Sequence, residues 1–135
     1  MYTVVMKTDP ESPFKLAVET ALVYPIVDLF DFEKDRQFIE DLLRGGIRIV
    51  QLRGKNLAAF EFESAVSKLL AACPKLREQA KIIINDSIDV CCAVGAAGVH
   101  LGQSDQNPLT AREILGERAI IGYSTHNLDQ VRQAQ

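Results

Sequence analysis

Cysteine is scarce in this chain. Only three occur in 135 residues, Cys73, Cys91 and Cys92. An odd number with two adjacent gives neither a disulfide framework nor the C-x-x-C spacing of a zinc site, so they read as reduced residues that pack helices. A surplus of positive charge is missing too: 15 Lys and Arg against 18 Asp and Glu leave a net −3. Without a basic excess the chain has no electrostatic footprint for nucleic acid, and no such partner is expected. Long apolar runs are also absent. The longest uncharged stretch, Val90 to Ser104, is broken by glycines and His100 and is shorter than the roughly 18 apolar residues of a membrane span. The opening MYTVVMKTDPESP lacks the basic start and apolar stretch of a secretory signal. No membrane association is expected, and the cytoplasm is the default location. What is present, 47% hydrophobic and 24% charged residues, suits a globular chain with a core, and this length holds one domain at most.

Short β-rich runs fall at Ala21–Val27, Ile47–Leu52, Lys81–Asn85, Gly98–Leu101 and Ala119–Ser124. Most are continuously apolar, as parallel strands buried on both faces are. Helical stripes lie between them. Phe38, Ile39, Leu42 and Leu43 sit on a helix expected to begin near Asp31 and stop at Gly45-Gly46. Phe62, Ala65, Val66, Leu69 and Leu70 follow helical spacing up to Pro74, which is expected to end that helix. A brief helix from Ser87 to Val94 has Ser87 as its cap, and a later one has Asn107 as cap, Pro108 in first place and Gly116 just past its end. A last helix starts at Asn127. Ahead of the first strand, Ser12-Pro13 is placed to open a helix through Phe14–Thr20, and Tyr2–Met6 reads as a stray strand or an unpaired arm.

Repeated strand–helix–strand units predict right-handed βαβ crossovers, in either a doubly wound sheet or a (β/α)8 barrel. No G-x-G-x-x-G turn follows the first strand, where Tyr24-Pro25-Ile26-Val27-Asp28 runs straight into Leu29-Phe30-Asp31. That absence favours the barrel.

In either architecture chemistry collects at the carboxyl ends of the strands. Gln51, Arg53 and Lys55 alternate at period two, so on a strand they share a face and form a phosphate grip. Alone, that row reads equally as a strand leaving into solvent. Asp86 and Asp105 lie just past consecutive strands, and on neighbouring strands both could reach one hard cation such as Mg²⁺, although each singly is also an ordinary helix cap. Ser124, Thr125 and His126 end the fifth strand, either as an anion-receiving rim or as caps. His100 reads as a core residue and His126 as a rim residue. No nucleophile has a base beside it at a spacing that would support covalent catalysis.

Four segments, GGIRIVQLRGK, IIINDS, GAAGVHLGQSD and IIGYSTHN, occur in an order and spacing that strongly resembles the thiamine-phosphate synthase family, from about Val23 to the last residue. The resemblance implies a (β/α)8 barrel and a transferase of thiamine biosynthesis. Such an enzyme joins 4-amino-2-methyl-5-pyrimidinylmethyl diphosphate to a thiazole phosphate, yielding thiamine phosphate and diphosphate. It further implies that Gln51, Arg53, Lys55, Asn85 and Ser124 bind the pyrimidine diphosphate, with Arg53, Lys55 and Ser124 acting on the leaving group, and that Asp86 and Asp105 ligate Mg²⁺. The mechanism it implies is dissociative: diphosphate departs first and the thiazole nitrogen captures the pyrimidinylmethyl cation.

A whole barrel runs to about 250 residues. The architecture expected here is therefore a partial TIM barrel, strands one to five with their helices, truncated before strand six. Residues 1–20 would be an N-terminal extension with room for a short helix, and 21–135 the incomplete barrel domain. Such a fragment is expected to keep part of the diphosphate site with little or no synthase activity alone. Its exposed edges on strands one and five would favour a homo-oligomer. Two rivals stand beside this reading: a thiazole tautomerase-like relative, which expels no diphosphate, and a noncatalytic phosphate-binding half-barrel.

Overall fold

The structure is a computed structural model that describes residues 2–5 and 23–133. In chain order the elements are β1 (Tyr2–Val5), β2 (Ile26–Asp28), α1 (Phe32–Arg44), β3 (Ile49–Arg53), α2 (Ala59–Ala72), α3 (Pro74–Gln79), β4 (Lys81–Asn85), α4 (Ile88–Val94), β5 (Gly98–Leu101), α5 (Pro108–Leu115), β6 (Ile120–Thr125) and α6 (Leu128–Gln133). They build one sheet of order β1-β6-β5-β4-β3-β2. From β2 to β6 every pairing is parallel, the arrangement of consecutive barrel strands. The expected helix over Phe14–Thr20, and the rest of the extension beyond Val5, lie outside the described residues.

Alternation along the strands divides their side chains between two faces. Leu52, Ile84, Val99 and Ile121 stand in register across four strands and meet Ile39 and Leu43 of α1, Phe62, Val66 and Leu69 of α2, Ile88 and Cys91 of α4 and Ala111 of α5 in one buried cluster. Each Val, Leu, Ile or Phe side chain among them contributes about 1.5–3 kcal/mol by leaving water. The opposite face carries a smaller apolar cluster of Ile49, Ile83 and Ile120, with Tyr24 and Ala97 packed on it. Beyond that cluster, toward the carboxyl ends, this face turns polar. Gly98 lets β5 and β6 pair closely: a Cβ there would stand 1.9 Å from the Ile120 carbonyl oxygen.

The caps act locally as their residue types allow. Asp31, Ser87, Asn107 and Asn127 accept from the backbone N–H of Lys34, Val90, Leu109 and Gln130 respectively. Several expectations need correcting. α2 does stop before Pro74, at Ala72, but Pro74 then opens a further, unexpected helix, α3; at its first position the missing N–H costs nothing. Phe38 is exposed, and α1 instead buries Asp35, Ile39 and Leu43. Asp35 can be buried because its carboxylate accepts from Phe30 N at 2.9 Å and Asp31 N at 3.0 Å, closing the β2–α1 turn. Cys73 and Cys91 are buried but Cys92 is exposed, so it packs nothing.

The edge of β6 is not bare. Tyr2–Val5 runs antiparallel along it, with Tyr2 opposite Thr125 and Val5 opposite Gly122. Among the described residues no helix is long and apolar enough to cross a membrane.

Candidate active site at the carboxyl ends of the strands

The polar face gathers Asp28, Gln51, Arg53, Asn85, His100 and Ser124 at one end of the sheet. Register places Asp28 beside Arg53, Asn85 beside His100, and His100 beside Gly122, two residues before Ser124. Arg53 is gripped side-on: its Nε donates to Asp28 Oδ1 at 2.5 Å and its Nη2 to Asp28 Oδ2 at 2.6 Å. Those bonds hold the Asp28 carboxyl below the usual carboxylate range and push the guanidinium pKa up. Of five guanidinium N–H groups, two are used, which leaves the Nη1/Nη2 end free to take a second planar anion.

Gln51 is buried, and its Nε2 donates to the Tyr24 hydroxyl at 3.1 Å. Burial pushes that phenol up to about 12, so it stays neutral. Lys55 departs from the expected row. The strand ends at Arg53, and Lys55 sits exposed in the following turn, a mobile ammonium beside the grip rather than part of one rigid face.

Asp86 directly follows β4 with φ 63°, the one left-handed non-glycine residue among those described, a conformation Asp tolerates better than most. Its N–H donates to the His100 carbonyl at 2.8 Å. Asp105 follows β5, and its Oδ2 accepts from Gly102 N at 2.6 Å. Neither acid caps a helix, because Ser87 and Asn107 do that work. The Asp86 carboxyl is pushed up to about 6, first by desolvation and then by a hydrogen bond with Asp105 and its like charge; Asn85 and the Arg53 charge oppose the rise. The two acids therefore press on each other at the rim. No group of three or more His, Cys, Asp or Glu placed to hold a metal occurs among the described residues. Two adjacent carboxylates nonetheless fit Mg²⁺, which takes few protein oxygens and fills its remaining positions from waters and phosphates.

A cleft of about 420 Å³ opens between Arg53, Gly54, Lys55, Asn85, Asp86 and Ser87, floored by Leu57 and Phe62. A larger one, of about 560 Å³, lies between α1 and α3, lined by Arg44, Cys73, Lys75 and Gln79. The larger cleft also carries charged side chains, Glu40, Arg44 and Lys75, but only helices and their Cys73 junction line it; the smaller opens at the carboxyl ends of β3 and β4, beside Arg53, Lys55 and Asp86, and is therefore the candidate site. Ser124 stands on the same face, its Oγ 2.9 Å from His100 Nε2, and its carbonyl accepts from Gln103 Nε2 at 2.6 Å. His126 is exposed past the strand, where its N–H donates to Gln130 Oε1. Asp28 and Tyr24 were not among the residues singled out from the sequence.

Parallel strands with their helices packed on one face, and an anion-gripping rim at the strand ends on the other, define part of a (β/α)-barrel whose site lies at its carboxyl face. The family model described as thiamine monophosphate synthase matches residues 23–135, and the chain belongs to that family. It is similar to the thiamine-phosphate synthase of Clostridium acetobutylicum, 42% identical over 99 residues that cover 72% of this chain and 45% of that protein. Against the thiamine-phosphate synthase of Methanobrevibacter smithii, identity is 40% over 105 residues, 78% of this chain and 49% of the other. The chain thus spans about half the length of the curated relatives it matches. Among solved structures, the thiamine phosphate pyrophosphorylase from Pyrococcus furiosus superposes with TM-score 0.66 at 30% identity, over 82% of this chain and 53% of that one.

Proposed function

We propose that this chain carries the diphosphate-handling part of a thiamine-phosphate synthase site, with residues 21–135 as the barrel unit and 1–20 as an extension that lends β1 to the sheet. One observation supports this above the others. Arg53, Lys55, Asn85 and Asp86 border one cleft, and neither Asp86 nor its neighbour Asp105 serves as a helix cap. The free end of Arg53 takes two oxygens of the diphosphate, Lys55 adds a mobile charge, and Asn85 and Ser124 supply neutral hydrogen bonds. Gln51, one step deeper on β3, faces the pyrimidine end of the same substrate. Magnesium, when bound, would be held by Asp86 and Asp105 and would neutralise diphosphate oxygens.

In this reading the C–O bond to diphosphate breaks and its electron pair leaves with the diphosphate. Arg53 and Lys55 stabilise that developing charge, and the pyrimidinylmethyl cation is captured by the nitrogen of a thiazole phosphate held close by. Both substrates are small phosphorylated molecules, which suits a cytoplasmic site of action. A tautomerase-like role would require no paired acids at the rim.

Titration calorimetry with inorganic diphosphate tests the reading. Binding should require Mg²⁺ and fall by about tenfold or more, ~1.4 kcal/mol, in Arg53→Ala and in Asp86→Ala. Unaltered binding in both variants would refute the assignment. Tight binding of a thiazole phosphate without Mg²⁺-dependent diphosphate binding would favour the tautomerase-like alternative.

A further inference from the structure

His100 sits on β5 in the middle of the site face and is only 7% exposed. Its two ring nitrogens have very different surroundings. Nε2 lies 2.9 Å from Ser124 Oγ on β6, whereas Nδ1 has no hydrogen-bond partner among the described residues. Gly122 explains the second fact. It stands opposite His100 in the β5–β6 register, and a Cβ on it would fall 2.5 Å from Nδ1. Nδ1 therefore faces the bare Cα of a glycine, in a gap that no larger residue leaves.

The two neutral tautomers are not equivalent in that gap. A proton on Nδ1 would bury an N–H donor with nothing to accept it, while an unprotonated Nδ1 loses less, since a lone pair can rest against a Cα–H. A doubly protonated ring would bury the same unmet Nδ1–H against Gly122, so it gains nothing over that tautomer. The proton thus belongs on Nε2, where it is donated to Ser124 Oγ. A hydroxyl that accepts from His100 cannot also donate to it, so its own hydrogen must turn to another acceptor. The Ser124 carbonyl is already engaged by Gln103, which pins this strand end.

We infer that His100, held as its Nε2–H tautomer against Gly122, is a positioning residue that makes Ser124 an obligate hydroxyl donor to an anionic oxygen of the diphosphate. The ligand in this inference rests on the function proposed above. Diphosphate offers acceptors only, so a hydroxyl with its hydrogen committed outward suits it, whereas a freely rotating one must be reoriented on binding.

Two measurements test this. Nitrogen-15 NMR of the histidine rings reads the tautomer in the unaltered protein. Only His100 and His126 occur in the sequence, and a His126→Gln variant assigns the signals. Protonated Nε2 with unprotonated Nδ1 is expected, and the reverse tautomer overturns the inference whatever the variants do. Calorimetry with inorganic diphosphate and Mg²⁺ then compares His100→Leu with His100→Gln, whose side-chain amide can still donate to Ser124. His100→Leu should weaken binding about tenfold, His100→Gln by less than about threefold, and His100→Leu should add nothing in a Ser124→Ala background. An equal loss with and without Ser124 would mean that His100 merely packs, and overturns the inference. Failure of the unaltered protein to bind diphosphate overturns the ligand assignment and this inference's ligand with it. Intact binding alongside the Nδ1–H tautomer overturns this inference alone.

Discussion

Replacing Asp86 by asparagine should make the protein more stable at neutral pH while disabling its site. The substitution keeps the shape of the side chain, and asparagine tolerates the φ of 63° found there as aspartate does, so the change is one of charge. In the folded protein the Asp86 carboxyl is raised from 3.8 to about 6, by desolvation first and Asp105 second. A shift of that size corresponds to ~3 kcal/mol at full strength. Asp86 is open to solvent on one side, and screening brings the contribution down to about 1 kcal/mol. The sign follows from proton uptake: between about pH 4 and 6 the folded chain holds this proton more tightly than the unfolded chain does, so stability falls as pH rises through that window. The penalty is absent below pH 4 and complete above pH 6. Urea unfolding in the presence of a chelator should therefore show Asp86→Asn ahead by about 1 kcal/mol at pH 7.5, a midpoint shift of roughly 0.5 M, with the difference vanishing at pH 4. Adding Mg²⁺ should narrow the gap by stabilising the unaltered protein. A variant no more stable than the parent at pH 7.5, or a gain that persists undiminished at pH 4, would refute the argument.

The Asp28–Arg53 fork is half-open, with side-chain exposures of 42% and 35%, so Asp28→Ala should cost less than about 1 kcal/mol in stability. It should weaken diphosphate binding by about tenfold through lost orientation, and should have no further effect in an Arg53→Ala background. Arg53→Lys should bind as poorly as Arg53→Ala, because one ammonium cannot present two planar edges; normal calorimetric affinity in the lysine variant would contradict that. Deleting residues 1–5 uncovers the edge of β6 that Tyr2–Val5 pairs with, so light scattering should show a mean mass that rises with concentration beyond that of the intact chain. An unchanged mass would show that this edge needs no cover.

How much of this was legible in the chain depended on whether an interaction is local. The strands Lys81–Asn85 and Gly98–Leu101 have the bounds their apolar runs announce, since both of their faces are covered or paired. The caps were equally readable: Ser87 and Asn107 already held the capping positions, which left Asp86 and Asp105 free for other work. The fork between Asp28 and Arg53 spans 25 residues, and nothing near either residue announces it. It exists because β2 pairs with β3 in a register that sets those two side chains together. The Tyr24–Gln51 bond, 27 residues apart, was hidden for the same reason. Lys55 shows the opposite failure, a period-two pattern followed one step beyond the end of its strand. Tyr2–Met6, read as a stray strand or an arm, pairs as Tyr2–Val5 with an edge that its own composition does not identify.

The division of labour between the two faces of the sheet explains why the site can hold unfavourable terms. Asp86 combines a left-handed backbone, partial desolvation and a like-charged neighbour, and one strand away His100 carries a buried nitrogen without a partner among the described residues. Such features concentrate where a ligand later satisfies them, and they persist only if the surrounding structure over-determines the geometry. Here the support is on the far side of the same strands: Leu52, Ile84, Val99 and Leu101 are fully buried against the helices, one residue away in sequence from Arg53, Asn85 and His100. Each strand thus anchors with one face what it strains with the other. A destabilising change in the helix-facing row should consequently be felt at the rim as loosened geometry before the chain unfolds, because the residues of both rows share one backbone.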